Sequence, residues 1–141
     1  MLGGVYPYPH FNEGHRLGID LEAQALKVLV YLLELGVDPN AQDRHGRTPL
    51  HKACKTFSPA VPLLLASGAD PNARDNGGTT PLNLACAHAD LETVQLMLTH
   101  GADLCAADQE GLTPLDYAAK HENEDVVQHL RALGAKSGKS E

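Results

Sequence analysis

Histidine, cysteine and carboxylate side chains are the groups here that could hold a metal, attack a carbonyl or move a proton. The 141 residues contain eight histidines, three cysteines and 18 Asp and Glu side chains. Their spacing supports none of those chemistries. No Cys-x-x-Cys or His-x-x-x-His pair places two ligands together as a zinc site requires, and His10 and His15 have no Cys nearby. Asn76-Gly77-Gly78 lacks the Lys-Ser/Thr of a phosphate loop, and no Gly-x-Ser-x-Gly elbow occurs. Glu122, Glu124 and Asp125 fall where a final helix should begin, and carboxylates there suit the helix dipole as a solvated face. Cys54 and Cys86 share one slot of a repeating pattern, where a small apolar side chain fits between helices. With Cys105 they make an odd, sparse set, which reads as reduced thiols. The expectation is no catalytic residue, no metal site, no cofactor and no small-molecule substrate.

The elements that would position these residues come as a repeat. Thr48-Pro49-Leu50-His51-Lys52-Ala53-Cys54 returns 32 residues later as Thr80-Pro81-Leu82-Asn83-Leu84-Ala85-Cys86. It returns 33 residues after that as Thr113-Pro114-Leu115-Asp116-Tyr117-Ala118-Ala119. An Asp precedes each Thr by five positions (Asp43, Asp75, Asp108), and an apolar run ending in Gly68, Gly101 or Gly134 follows. Gly36 closes a fourth, degenerate unit. A fixed period of this size specifies a stacked array rather than a domain around one central site. Each Thr-Pro starts a first helix, with Thr as N-cap and Pro at the first helical position.

The second helices are more individual. Asp90 should cap a helix over Leu91–Thr99, with Val94, Leu96, Met97 and Leu98 as its buried face. Pro59 and Pro62 predict a short or shifted second helix in repeat two, with Ser58 as its cap. In repeat four His129 and Arg131 replace leucines, giving the polar outer face on which a solenoid ends. At the other end Asp20 should cap a helix whose stretch Leu26 to Leu33 is apolar nearly all round. Such a helix needs cover on more than one side, either from the N-terminal segment or from an upstream repeat.

The pattern D-x-x-G-x-T-P-L-x-x-A, an apolar helix, then G-A-D-x-N-A resembles the ankyrin repeat, from about Lys27 to Lys136. The resemblance implies an all-α solenoid of stacked helix-turn-helix units with projecting β-hairpin loops. The repeat domain is expected over residues 17–136, with repeats at about 17–42, 43–74, 75–107 and 108–136. Residues 1–16 read as an N-terminal tail and 137–141 as a polar tail. His51 falls in the slot where such proteins commonly use His to tie a loop by hydrogen bonds. The resemblance also implies a protein or peptide partner across a concave groove of finger loops and first helices. Its candidate residues are Arg44, His45, Arg47, Lys52 and Lys55 in repeat two, and Asn76, Thr79 and His88 in repeat three. Repeat four contributes Glu110, Leu112 and His121. Asn40 and Asn72 match the asparagines that an asparaginyl hydroxylase can modify in this family, although an Asn bonding the loop backbone fits equally well. Cys105 takes that slot in the next unit.

With 18 acidic against 11 basic side chains, the net charge of −7 argues against a general nucleic-acid binder. The charge is uneven, however. Asp43 to Ala69 holds four basic residues and one acidic; Asp108 to Lys136 holds six acidic and three basic. The basic end suits a partner with an acidic segment. No signal peptide is expected, and the longest apolar run is too short to cross a bilayer. A monomer in the cytoplasm or nucleus is expected. The favoured reading is a non-catalytic interaction module. The competing one is a regulatory or targeting segment of a larger protein, such as a ubiquitin-ligase adaptor, enzyme or channel, or a small kinase-inhibitor-like protein.

Overall fold

The computed structural model describes residues 21–138. Among them are seven α-helices in chain order: α1 (Leu21–Glu34), α2 (Pro49–Thr56), α3 (Val61–Ala66), α4 (Pro81–His88), α5 (Leu91–Thr99), α6 (Pro114–Lys120) and α7 (Glu124–Ala132). A 3-10 turn, Ser58–Ala60, precedes α3. The expected all-α solenoid is what forms. No regular strand occurs among the described residues, and the projecting loops are tight turns.

The three first helices begin as the Thr-Pro signal dictates. Thr48, Thr80 and Thr113 have extended backbone, and their hydroxyls accept from the N–H of His51, Asn83 and Asp116. The following Pro has no N–H to leave unpaired. These caps fix which residues point inward. Leu50, Leu82 and Leu115 of the three Thr-Pro-Leu steps are all buried, as are Ala53, Ala85 and Ala118 behind them. The small Ala and Cys side chains let α2, α4 and α6 stack closely along one side of the array. Each buried leucine contributes about 1.5–3 kcal/mol, so the Leu-Ala ladder holds the first-helix layer together.

The second helices fill the other layer with Val61, Leu64, Val94, Met97, Val126 and Leu130. In α5 the Asp90 carboxylate caps the Thr93 N–H at 2.9 Å, as expected. That cap sets the inward stripe at Thr93, Val94 and Met97, at helical spacing, so Leu96 and Leu98 are only half-buried. In repeat two the chain makes its 3-10 turn through Pro59 before α3 starts. Pro62 then lies in the first turn of α3, where an N–H has no partner to lose. The helix is short, at six residues, and neither it nor the turn has a side-chain cap, so Ser58 does not play that role.

The two ends differ. α1 has 14 residues and none is buried. Its expected N-cap, Asp20, and the tail 1–16 lie outside the described residues. At the far end Thr113 Oγ1 donates to the Lys136 carbonyl at 2.9 Å, and the Gly138 N–H donates to the Asp116 carboxylate at 2.8 Å. The Ser137 hydroxyl donates to the same carboxylate. A Cβ on Gly138 would lie 1.9 Å from the Gly111 carbonyl oxygen, so only glycine fits there. Ser137 and Gly138, from the stretch read as a polar tail, thus sit on the start of α6; 139–141 lie outside the described residues.

Candidate functional site

Three fingers project between the repeats, and each is built by one carboxylate. Asp43 Oδ1 accepts from the N–H of His45 (2.8 Å) and Arg47 (3.0 Å). Asp75 accepts from Gly77 and Thr79, both at 2.9 Å. Asp108 accepts from Glu110 (2.8 Å) and Leu112 (3.0 Å). The backbone N–H bond from Arg47 is the leading cause that holds the Asp43 pKa down at about 2. A backbone bond returns from each Asp N–H to the far side of its turn, 2.9–3.0 Å.

The fingers are then sewn to one another. The Asn76 N–H donates to the His45 carbonyl at 2.9 Å, and its side-chain Nδ2 to the Arg44 carbonyl at 3.1 Å. One repeat on, the Gln109 N–H donates to the Gly77 carbonyl (2.9 Å) and its Nε2 to the Asn76 carbonyl (3.0 Å). Gly46, at φ +78°, sits so close beneath this seam that a Cβ would meet Asn76 Oδ1 at 2.6 Å. The finger tips therefore form one continuous row.

The outer oxygen of each finger carboxylate has a different partner. Asp43 pairs with Lys52 (3.1 Å) and Asp75 with Arg47 of the preceding finger (3.6 Å). Asp108 accepts from the Tyr117 hydroxyl at 2.5 Å, and that hydroxyl also lies 3.2 Å from Thr79 Oγ1. Burial first, and the bond to Asp108 second, push the Tyr117 pKa up to about 12. Lys52, Leu84 and Tyr117 occupy the same slot of successive first helices and form the wall of the groove behind the fingers. Leu84 and Tyr117 escaped the sequence reading, although their identical offset from Thr80 and Thr113 was a usable signal.

The candidate partner residues separate into three groups. Arg44, His45, Asn76 and Glu110 lie on the exposed finger row. Arg47, Thr79 and Leu112 form the finger bases, where Thr79 and Leu112 are half-buried. Lys55, His88 and His121 are exposed at the far ends of the first helices, about 10 Å of helix away from the fingers. There the rings of His88 and His121 meet edge to face with centroids 4.8 Å apart. Burial, then the neighbouring His121 and Lys55, lower the His88 pKa. Lys52 spans the gap between fingers and helix ends. Two of the four basic residues, Arg47 and Lys52, are already ion-paired, which leaves Arg44 and Lys55 without an ion pair among the described residues.

Behind the site, His51 is fully buried. Its Nδ1 accepts from the Thr48 N–H at 3.1 Å, so the proton must sit on Nε2, which donates to the Thr79 carbonyl at 2.8 Å. A neutral imidazole thereby ties the cap of α2 to the next finger, and burial lowers its pKa. Asn40 and Asn72 are tied at both ends of their amides. Asn40 Nδ2 donates to the Gly68 carbonyl (3.0 Å) and its Oδ1 accepts from the Asp70 N–H (2.7 Å). Asn72 repeats this with Gly101 (3.0 Å) and Asp103 (2.7 Å). Cys54 and Cys86 are buried free thiols whose pKa burial pushes up to about 12, so they serve as packing rather than nucleophiles. No cluster of three or more His, Cys, Asp or Glu suited to a metal occurs among the described residues. None of their helices is long and apolar enough to cross a membrane.

Family models for ankyrin repeats match nearly the whole array, one for three copies over residues 55–140 and one for many copies over residues 21–56. The chain is also similar to a putative ankyrin repeat protein of Pyrobaculum aerophilum, with 51% identity over 45 residues. That match covers 32% of this chain and 17% of the relative.

Proposed function

Because this chain belongs to the ankyrin repeat family, whose arrays are generally protein-interaction modules, we propose that it binds a protein or peptide partner across its finger row and first-helix wall. The observation that carries this reading is the hydrogen-bonded seam from His45 through Asn76 to Gln109. It holds the side chains of successive finger tips in fixed register, so little conformational freedom is lost when a partner docks. The site is a surface rather than a reaction centre, and its role is recognition without catalysis. The groove wall offers a half-buried Leu84 between Lys52 and Tyr117, with Arg44 and Lys55 as available cations. That combination fits an extended acidic segment carrying one apolar anchor. The buried, unpaired thiols suit a reducing compartment, the cytoplasm or nucleus, and the partner site acts within one copy of the chain. Hydroxylation at Asn40 or Asn72 would act on an amide that already holds two neighbouring repeats together.

The test is capture of partners from a lysate by the full chain, compared with Arg44→Glu/Lys55→Glu and with Leu84→Asp. Reversing Arg44 and Lys55 leaves both ion pairs of the fingers intact, so the fold is retained. Loss of the same partners in both variants, at unchanged unfolding midpoint, supports the reading. Retention in both moves recognition off the groove.

A further inference from the structure

Two imidazoles that stand a full repeat apart in the sequence meet at the far ends of the first helices. His88 closes α4 and His121 directly follows α6, each at the same offset from its capping threonine, Thr80 or Thr113. α4 and α6 lie against each other, so the equal offset puts the rings side by side, with centroids 4.8 Å apart and planes at 65°. In repeat two the same slot is Thr56, whose hydroxyl donates to the Lys52 carbonyl at 2.9 Å. The pair therefore belongs to the junction of repeats three and four.

That separation suits two imidazoles sharing one metal ion. A Zn–N bond of about 2.0–2.1 Å puts the ion about 3.2 Å from each ring centroid, and a tetrahedral angle then sets the centroids about 5 Å apart. His121 is already oriented. Its Nδ1 lies 3.1 Å from the Tyr117 carbonyl; a carbonyl only accepts, so Nδ1 carries the proton and Nε2 presents its lone pair. A carbonyl on the other ring nitrogen is how metal-ligating histidines are held. The His88 ring is exposed, and rotation about its χ2, a broad torsion, can turn a nitrogen toward Nε2 of His121. Burial, then His121 and Lys55, lower the His88 pKa, so at neutral pH few protons compete for that ring.

We propose that His88 and His121 form a two-histidine site for a divalent transition-metal ion of the Zn²⁺, Ni²⁺ or Cu²⁺ class. Imidazole nitrogens suit these ions, whereas Mg²⁺ and Ca²⁺ take oxygen ligands. Two protein ligands leave the other coordination positions to water, so the ion is held reversibly. Lys55, the cation beside His88, has a flexible stem that can carry its charge away from the ion. The two ligands come from different repeats, so an ion bound by both ties repeat three to repeat four.

Calorimetric titration of the full chain with zinc chloride, followed in parallel by NMR of the imidazole nitrogens, tests the assignment. Zinc should bind saturably, and the Nε2 resonance of His121 should shift in step with saturation while Nδ1 keeps its proton. His88→Ala and His121→Ala should each weaken this binding about tenfold or more. Both rings are exposed, so the urea midpoint of the metal-free variants should not change. The NMR arm uses the unsubstituted chain and so decides the matter even if a variant folds poorly. No saturable binding below about 1 mM zinc would overturn the proposal. So would binding that both variants leave unchanged, or saturation that leaves His121 Nε2 where it was.

Discussion

The junction between repeats two and three and the junction between repeats three and four are built from the same slots and filled differently. At the first, His51 reaches the Thr79 carbonyl and Asn72 clasps Gly101 and Asp103. At the second, Asn83 stands in the histidine's place, fully buried, and neither its Oδ1 nor its Nδ2 has a hydrogen-bond partner among the described residues. Cys105, exposed, stands where the clasping Asn would be. The shorter amide cannot span the distance an imidazole covers, and a thiol cannot donate and accept at once. The second junction relies instead on Asn123 Nδ2, which donates to the carbonyls of Cys86 and Ala89 (2.9 and 3.0 Å), and on the Tyr117 bond to Thr79. In an array whose stability is a sum of neighbour terms, the difference should make the junction between repeats three and four the weaker of these two.

Breaking the stronger junction should have the largest effect. His51→Asn copies repeat three into repeat two, leaving the Thr79 carbonyl with the Asp75 N–H alone and stranding the Thr48 N–H. It should cost about 2–3 kcal/mol, read as a fall in the urea midpoint. The same residue gives the array a pH response. Unfolded His titrates near 6.5 and the folded pKa is lower, so below about pH 6.5 the unfolded state binds more protons. Stability should therefore fall as pH drops below about 6.5 and be insensitive to this group above it. His51→Asn should flatten that slope.

Asn72→Ala removes the outer clasp and should cost about 1–2 kcal/mol. Amide exchange measured at Asp103 should accelerate, while Asp70, held by Asn40, should not change. The weaker junction can be strengthened in the same terms. Asn83→His should reach the Leu112 carbonyl as His51 reaches Thr79, gaining about 1 kcal/mol and raising the melting temperature by several degrees. Cys105→Asn should clasp Gly134 and Lys136 for about 0.5 kcal/mol, seen as slower exchange in α7. If neither variant stabilises, the two junctions are equivalent and the comparison fails.

Much of this was legible in the sequence because the repeat imposes it locally. Thr-Pro caps act within one helical turn, so all three first helices begin where the motif places them. The Asp90 cap and the polar His129 and Arg131 are likewise local signals. The buried stripe of α5 departs from expectation at Leu96 and Leu98, because hydrophobicity alone does not give a helix its rotation; the cap does. The candidate site was legible as a surface but not as a network. Arg47 and Lys52 look like free cations in the chain, and only the fold brings them to Asp75 and Asp43. Tyr117 lies nine residues from Asp108 and 38 from Thr79, and its bridging role exists only once the fingers are stacked.

The sequence by itself determined the repeat, its helices, the family and the inward Leu-Ala ladder, because these follow from periodicity and short-range capping. The tertiary structure decided which charges are already paired, how the fingers are sewn into one row, and that the Asn83 side chain is buried without a partner among the described residues while His51 has one. Apart from the Lys52–Asp43 pair within one repeat, those outcomes depend on distances between residues roughly thirty positions apart, one repeat period, which the spacing of a pattern announces but only packing can fix.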